Sequence, residues 1–261
     1  EINKTIFRPT LILEDGENVD LTSRNIILND TIVKKSGQNK LIYDRTSITK
    51  ELKYNTLIIP KLFTYTVELS DGTTICLNAN SELKYPIQFN QDKREVYLKG
   101  EGYFNVKKGE KPFIIHTGDM KVQVYGTQFN INAYNKSSIK TVLIQGSVGV
   151  TVKDGDPVMM KPNQMVEVTS NGETIISDVD LTQYITWLDG DITSTNSPLT
   201  DLLDKISAWY GIEFNCTIDL KGINVTTSLS NKLSLEKILN GISETTNLKI
   251  IKNGENQYVI K

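Results

Sequence analysis

The stretch Val67-Glu68-Leu69-Ser70-Asp71-Gly72-Thr73-Thr74-Ile75-Cys76-Leu77 decides the fold class. Apolar and polar residues alternate on both sides of Asp71-Gly72, and a period of two marks a strand with one buried face. Asp-Gly suits the tight hairpin turn, because Gly takes positive φ freely and Asp tolerates it better than most residues. The spacing therefore predicts two antiparallel strands closed by a two-residue turn. The same grammar recurs at Asn171-Gly172, between Val166/Val168 and Ile175/Ile176, and at Lys153-Asp154-Gly155-Asp156, after Val148/Val150/Val152. Leu11-Ile12-Leu13-Glu14-Asp15-Gly16-Glu17-Asn18-Val19-Asp20-Leu21 repeats the pattern of 67–77. Two copies with a long spacer are a reused hairpin and not a solenoid array. The polar spacer, residues 22–55, is expected to hold edge strands and loops, with strand pieces at 25–28 and 40–43. A mostly β, antiparallel sandwich over residues 1–180 follows, with a short β-solenoid as the alternative.

Near Asp180 the periodicity changes. Ser197-Pro198 reads as an N-cap with proline at the first helical position. Leu199, Leu202, Leu203, Ile206 and Trp209/Tyr210 recur at helical spacing before Gly211, a C-terminal cap. A second helix starts near Ser234, with Leu235, Ile238, Leu239 and Ile242 on one face. Strands are expected at 184–189, 212–216, 225–229, 248–252 and 257–260, with Asn253-Gly254 turning the last two into a hairpin. The order β-α-β-β-α-β-β predicts a small α+β domain (βαββαβ with a closing hairpin) over 181–261, its helices on one face of a sheet.

The 261 residues carry 38% hydrophobic and 23% charged side chains with a net charge of −2. That is an ordinary folded composition, with no basic stripe to neutralise phosphates, so a nucleic-acid partner is disfavoured. No stretch reaches the roughly 18 apolar residues of a membrane span. Because the chain opens at Glu1 without a signal-peptide layout, it is expected to be an excised soluble fragment, with any targeting segment upstream.

Reactive side chains are sparse. His116 is the sole histidine, which removes two-His metal sites and leaves any Ser-His-Asp triad to one residue. It is expected at a strand end, at the surface or bonded to backbone. No nucleophile elbow, phosphate loop, calcium loop or HExxH occurs. Glu101 with Asp119 or Glu95 could be drawn as an acid/base pair, but spacing along a chain does not supply the separation a glycosidase needs. Cys76 and Cys216 stand far apart without CxxC spacing, and each reads as a small core residue. Trp187 and Trp209 read as core aromatics sooner than as a sugar platform. These residues point to no catalytic group, no metal and no cofactor.

Several blocks together resemble the FecR domain. They are Leu69-Ser70-Asp71-Gly72-Thr73-Thr74-Ile75-Cys76-Leu77-Asn78-Ala79-Asn80-Ser81, then Arg94-Glu95-Val96-Tyr97-Leu98-Lys99-Gly100-Glu101-Gly102-Tyr103-Phe104, then Val124-Tyr125-Gly126-Thr127-Gln128-Phe129. Gln145-Gly146-Ser147-Val148 and Lys161-Pro162-Asn163-Gln164 continue the series in order. Trp187-Leu188-Asp189-Gly190 and the helix ending Trp209-Tyr210 resemble the STN-like C-terminal domain of Bacteroidetes versions.

The resemblance implies a jelly-roll-like sandwich in a single-pass inner-membrane anti-sigma regulator. Its periplasmic part would meet the N-terminal signalling domain of a TonB-dependent outer-membrane transducer. An ECF sigma factor would be held through a cytoplasmic segment, and the membrane anchor would lie upstream of Glu1. A carbohydrate-binding β-sandwich is the second reading, and a glycosidase-like enzyme the third. On physical grounds the β-branched run with Val225, Thr227 and Leu229 is a candidate docking edge for strand addition, against its use as an interior strand.

Overall fold

A strand of 12 residues, Arg94–Asn105, carries the architecture of the first of two units. The structure, a computed structural model, describes residues 6–22, 33–35, 39–43, 52–89 and 92–261. The expected strand at 25–28 lies outside the described residues. The chain divides into Glu1–Leu181 and Thr182–Lys261. Strands of the first unit are β1 (Thr10–Ile12), β2 (Asn18–Asp20), β3 (Val33–Lys35), β4 (Lys40–Tyr43), β5 (Tyr54–Ile59), β6 (Tyr65–Glu68), β7 (Thr74–Leu77), β8 (Ser81–Pro86) and β9 (Arg94–Asn105). They continue with β10 (Phe113–Thr117), β11 (Met120–Val124), β12 (Gln128–Ala133), β13 (Ser138–Gln145), β14 (Val148–Val152), β15 (Val158–Met160), β16 (Gln164–Thr169) and β17 (Thr174–Asp178).

These strands are dealt between two sheets. One runs β2-β1-β5-β8-β9-β10-β11-β14-β15. The other runs β3-β4-β6-β7-β9-β12-β13-β16-β17. Among the described residues of this unit, pairing is antiparallel except for β9–β10 and β4–β6. Strand β9 belongs to both sheets: its first half pairs with β8 and β10, its second half with β7 and β12. The change falls at Gly100, whose φ is +86°. A Cβ there would lie 2.5 Å from Ser81 Oγ and 2.7 Å from the Asn80 carbonyl oxygen, so only glycine fits. One apolar core lies between the sheets. Leu57, Val96 and Ile115 enter it from the first, Val67, Phe104 and Phe129 from the second, all fully buried. Phe104 and Phe129 stack at 5.1 Å, and each such ring contributes about 2–3 kcal/mol on burial.

The Asp-Gly hairpins form where expected, but not with the two-residue turn. Gly16, Gly72 and Gly172 are left-handed (φ +88°, +86° and +84°), whereas Asp15, Asp71 and Asn171 are not. In each copy the glycine N–H returns to the residue three back, and that residue's N–H donates to the one after the glycine: Leu13 to Glu17 at 2.9 Å, Leu69 to Thr73 at 2.8 Å, Thr169 to Glu173 at 3.0 Å. This is the longer loop with a bulge at glycine. The Asp or Asn carboxyl or carbonyl oxygen accepts the N–H two residues on, which holds the turn without needing positive φ at that residue.

The second unit holds α1 (Thr182–Ile185), a 3-10 turn (Thr186–Asp189), β18 (Asp191–Pro198), α2 (Leu199–Tyr210), β19 (Glu213–Cys216), β20 (Asn224–Ser230), α3 (Leu235–Thr246), β21 (Ile250–Lys252) and β22 (Gln257–Ile260). Residues 184–189 are thus helical turns and not a strand. Trp187 and Leu188 are adjacent instead of alternating, and left-handed Gly190 closes the turn by donating to Thr186 and Trp187 carbonyls. The first strand of the unit is β18, a Ser/Thr-rich segment whose side chains carry little apolar signal. In place of one sheet there are two, β18–β20 and β19-β22-β21. Leu199, Leu202, Leu203 and Ile206 of α2 pack with Ile238 and Ile242 of α3. The N-cap of α2 is Pro198, one residue later than expected; Ser197 Oγ instead donates to Gln183 Oε1 at 2.7 Å. Gly211 closes α2 in the left-handed region, and Ser234 caps α3 by accepting the Lys237 N–H.

Candidate functional site

The blocks that looked most distinctive in the sequence do structural work. Asp71 holds its own turn with one carboxylate oxygen and accepts Arg94 Nη1 on the other at 2.8 Å. Arg94, 6% exposed, also donates to the Lys107 and Lys111 carbonyls and lies over the Phe113 ring. A hairpin tip of one sheet is thereby clamped to the start of β9 in the other. Gly126 lets the Lys108 backbone approach, since a Cβ would sit 2.8 Å from Lys108 Cα.

The carboxylates drawn as an acid/base pair serve separate ends. Glu101, 6% exposed, receives the Asn78 amide at 2.8 Å on one oxygen and the Asn130 amide at 2.9 Å on the other. Glu95 sits on the half of β9 in the other sheet, with Lys93 Nζ at 2.9 Å and His116 Nε2 at 3.3 Å. Burial pushes the Glu95 carboxyl up, but the hydrogen bonds and charges of Lys93 and His116 outweigh it and leave it below the usual range. His116 lies within β10, half-buried, and stacks on Tyr97 at 4.9 Å. Each ring covers a face of the other, which takes from Tyr97 part of the flat surface a sugar would need. Trp209 packs on the helical core and donates its indole N–H to the Asn231 carbonyl. Trp187 sits in the 3-10 turn. Cys76 and Cys216 are free; burial pushes the Cys76 thiol up to about 11, which makes it a poor nucleophile. Among the described residues no group of three or more His, Cys, Asp or Glu could hold a metal ion, and no helix is long and apolar enough to cross a membrane.

Val225, Thr227 and Leu229 lie together on β20, whose pairing within the described residues is with β18 alone. Their side chains are half-buried, and Val225 and Leu229 pack on the core of the second unit. The Leu199 N–H donates to the Ile223 carbonyl and the Asn231 N–H to the Gly190 carbonyl, both at 2.8 Å, so both ends of β20 fix the same alternation. Backbone groups of Val225, Thr227 and Leu229 therefore turn towards β18. Those of Thr226 and Ser228, whose side chains are exposed, turn outward. The open backbone row belongs not to the three residues singled out from the run 225–229 but to the polar alternates within it. Their signal was present in the polar half of the alternation.

A family model described as FecR protein matches residues 64–149, and one described as FecR, C-terminal, matches residues 192–260. Together they span more than half of the chain, in the order the two units take. The chain belongs to the FecR family. Two crystal structures of a proposed anti-sigma factor from Parabacteroides distasonis ATCC 8503, at 1.65 and 2.50 Å resolution, are similar to it. Each is 28% identical, with a TM-score of 0.70 over 79% of this chain and 98% of that one. No curated protein matches. The FecR family is regulatory and not catalytic, and its anti-sigma members imply a sigma factor as partner in general. The FecR match contains the Asp71–Arg94 clamp and the Gly100 crossing; the C-terminal match contains β20 and all of β18 but its first residue.

Proposed function

We propose that the chain is the periplasmic part of a single-pass inner-membrane anti-sigma regulator, and that it relays a signal by contact with the N-terminal signalling domain of a TonB-dependent transducer. That contact controls an ECF sigma factor held through a cytoplasmic segment. The observation that carries this reading is the pair of FecR matches in sequence order, joined to the likeness with a proposed anti-sigma factor over 98% of its crystallised chain. The buried, structurally engaged state of Arg94 and Glu101 supports relay by shape in place of chemistry.

The docking edge in this proposal is β20, with a strand of the signalling domain adding to the outward backbone groups of Thr226 and Ser228. Ser228→Pro removes an outward donor, at a position where an edge strand tolerates proline. Titration calorimetry of a purified signalling domain into the chain is expected to show binding that Ser228→Pro weakens at least tenfold, with tryptophan fluorescence unchanged. Full affinity in a folded Ser228→Pro chain removes this edge while leaving the partner in place. If no signalling domain binds and a glycan array gives a specific ligand instead, the carbohydrate-binding reading takes over.

A further inference from the structure

Four polar side chains are sealed inside the sandwich: Tyr43, Tyr65, Tyr85 and Asn55, at 2%, 1%, 0% and 0% exposure. They come from both sheets. Asn55 on β5 and Tyr85 on β8 are register partners in one, while Tyr43 on β4 and Tyr65 on β6 belong to the other. The Tyr43 and Tyr85 rings meet edge to face at 5.4 Å, and their hydroxyls lie 2.9 Å apart. Asn55 Nδ2 donates to the Tyr43 hydroxyl at 2.7 Å. Tyr65 is near enough to Tyr85 to act on it electrostatically.

Two atoms of this cluster, Asn55 Oδ1 and the Tyr65 hydroxyl oxygen, have no hydrogen-bond partner among the described residues. Turning the Asn55 amide over does not help. Its oxygen would then accept from Tyr43, and its NH2 group would be the unpaired end. Buried polar atoms are almost always satisfied, and protein interiors do this with single waters where side chains cannot reach. We propose that Asn55 Oδ1 and the Tyr65 hydroxyl bind one internal water, which completes a polar bridge between the two sheets. The chemistry suits water: Oδ1 only accepts, a phenol both donates and accepts, and water can do both at once. Burial keeps the Tyr43 and Tyr65 hydroxyls protonated, with both pushed up to about 12, and holds that of Tyr85 protonated too, so the cluster is neutral and asks for a neutral guest. The site is independent of the docking edge and of the signalling role.

The sign of one substitution tests it. Tyr65→Phe keeps the ring and deletes only the hydroxyl. With a bound water it strips away a partner and lowers the urea midpoint of unfolding. With no guest it removes an unpaired buried group, and the midpoint stays or rises. In the wild-type chain, a water cross-peak to the Asn55 side-chain amide or the Tyr65 ring in a rotating-frame Overhauser spectrum is expected, and Tyr65→Phe should abolish it. An unchanged or raised midpoint overturns the proposal, and so does a wild-type spectrum without that cross-peak.

Discussion

At Gly100 the long strand leaves one sheet for the other, and a methyl group there would collide with Ser81 Oγ and the Asn80 backbone. The positive φ adds a second penalty for any residue with a Cβ. Gly100→Ala is therefore expected to cost about 3 kcal/mol, combining left-handed strain with overpacking, as read by urea denaturation. Gly16 has nothing within 4 Å of its Cβ position, so Gly16→Ala meets the strain alone and should cost about half as much. Both glycines stand in plain view in the sequence, but it could not distinguish these two. The difference lies in what a distant strand brings alongside. The same holds for Asp71 and Arg94. The Asp-Gly turn is a local property of five residues, whereas the ion pair joins groups 23 positions apart. Glu101 was visible as a carboxylate; that two asparagine amides would hold it was not.

Elements were legible in proportion to how much apolar periodicity they carry. Helices α2 and α3 bury a full apolar stripe, and both fall where the spacing put them. Strand β18 buries Ile192 and Ser194 among Ser, Thr and Asn, so it offered no stripe to read. Its partner β20 was readable because Val225 and Leu229 stand on one side. Which edge of β20 stays open depends on the hydrogen-bonding parity, which side-chain alternation does not encode. Capping shows a similar division. Ser197 and Ser234 look equally good in sequence, but the Leu199 N–H is taken by the Ile223 carbonyl and Ser197 turns to Gln183. Ser234→Ala should thus cost about 0.5–1 kcal/mol as a lost helix cap, lowering the helical signal of α3 in far-UV dichroism. Ser197→Ala should leave the helical signal of α2 intact, because there it removes side-chain bonds to Gln183 and the Thr195 carbonyl and no bond to the helix N-terminus.

Across the first unit, the buried tyrosines govern how the fold meets alkali. Burial pushes the Tyr43 and Tyr65 hydroxyls up to about 12, and those of Tyr85 and Tyr134 well above the ordinary value of 10. In each case desolvation of the phenolate is the leading cause. An unfolded chain releases these protons near pH 10, while the native sandwich keeps them. The unfolded state then binds fewer protons, so stability falls as pH rises. The contribution is fully present below pH 10 and is lost as pH climbs through the folded values, which for Tyr43 and Tyr65 are about 12. Each tyrosine takes away about 1.4 kcal/mol per pH unit in that window. Four acting together exhaust a typical domain stability of roughly 5–15 kcal/mol within about one to three units. Alkaline titration should accordingly show the sandwich unfolding cooperatively between pH 10 and 12, with a final burst of tyrosinate absorbance that coincides with loss of β dichroism. Smooth tyrosinate formation to completion with the β signal intact would mean that these hydroxyls ionise in place, and that the core between the sheets is wetter than its packing implies.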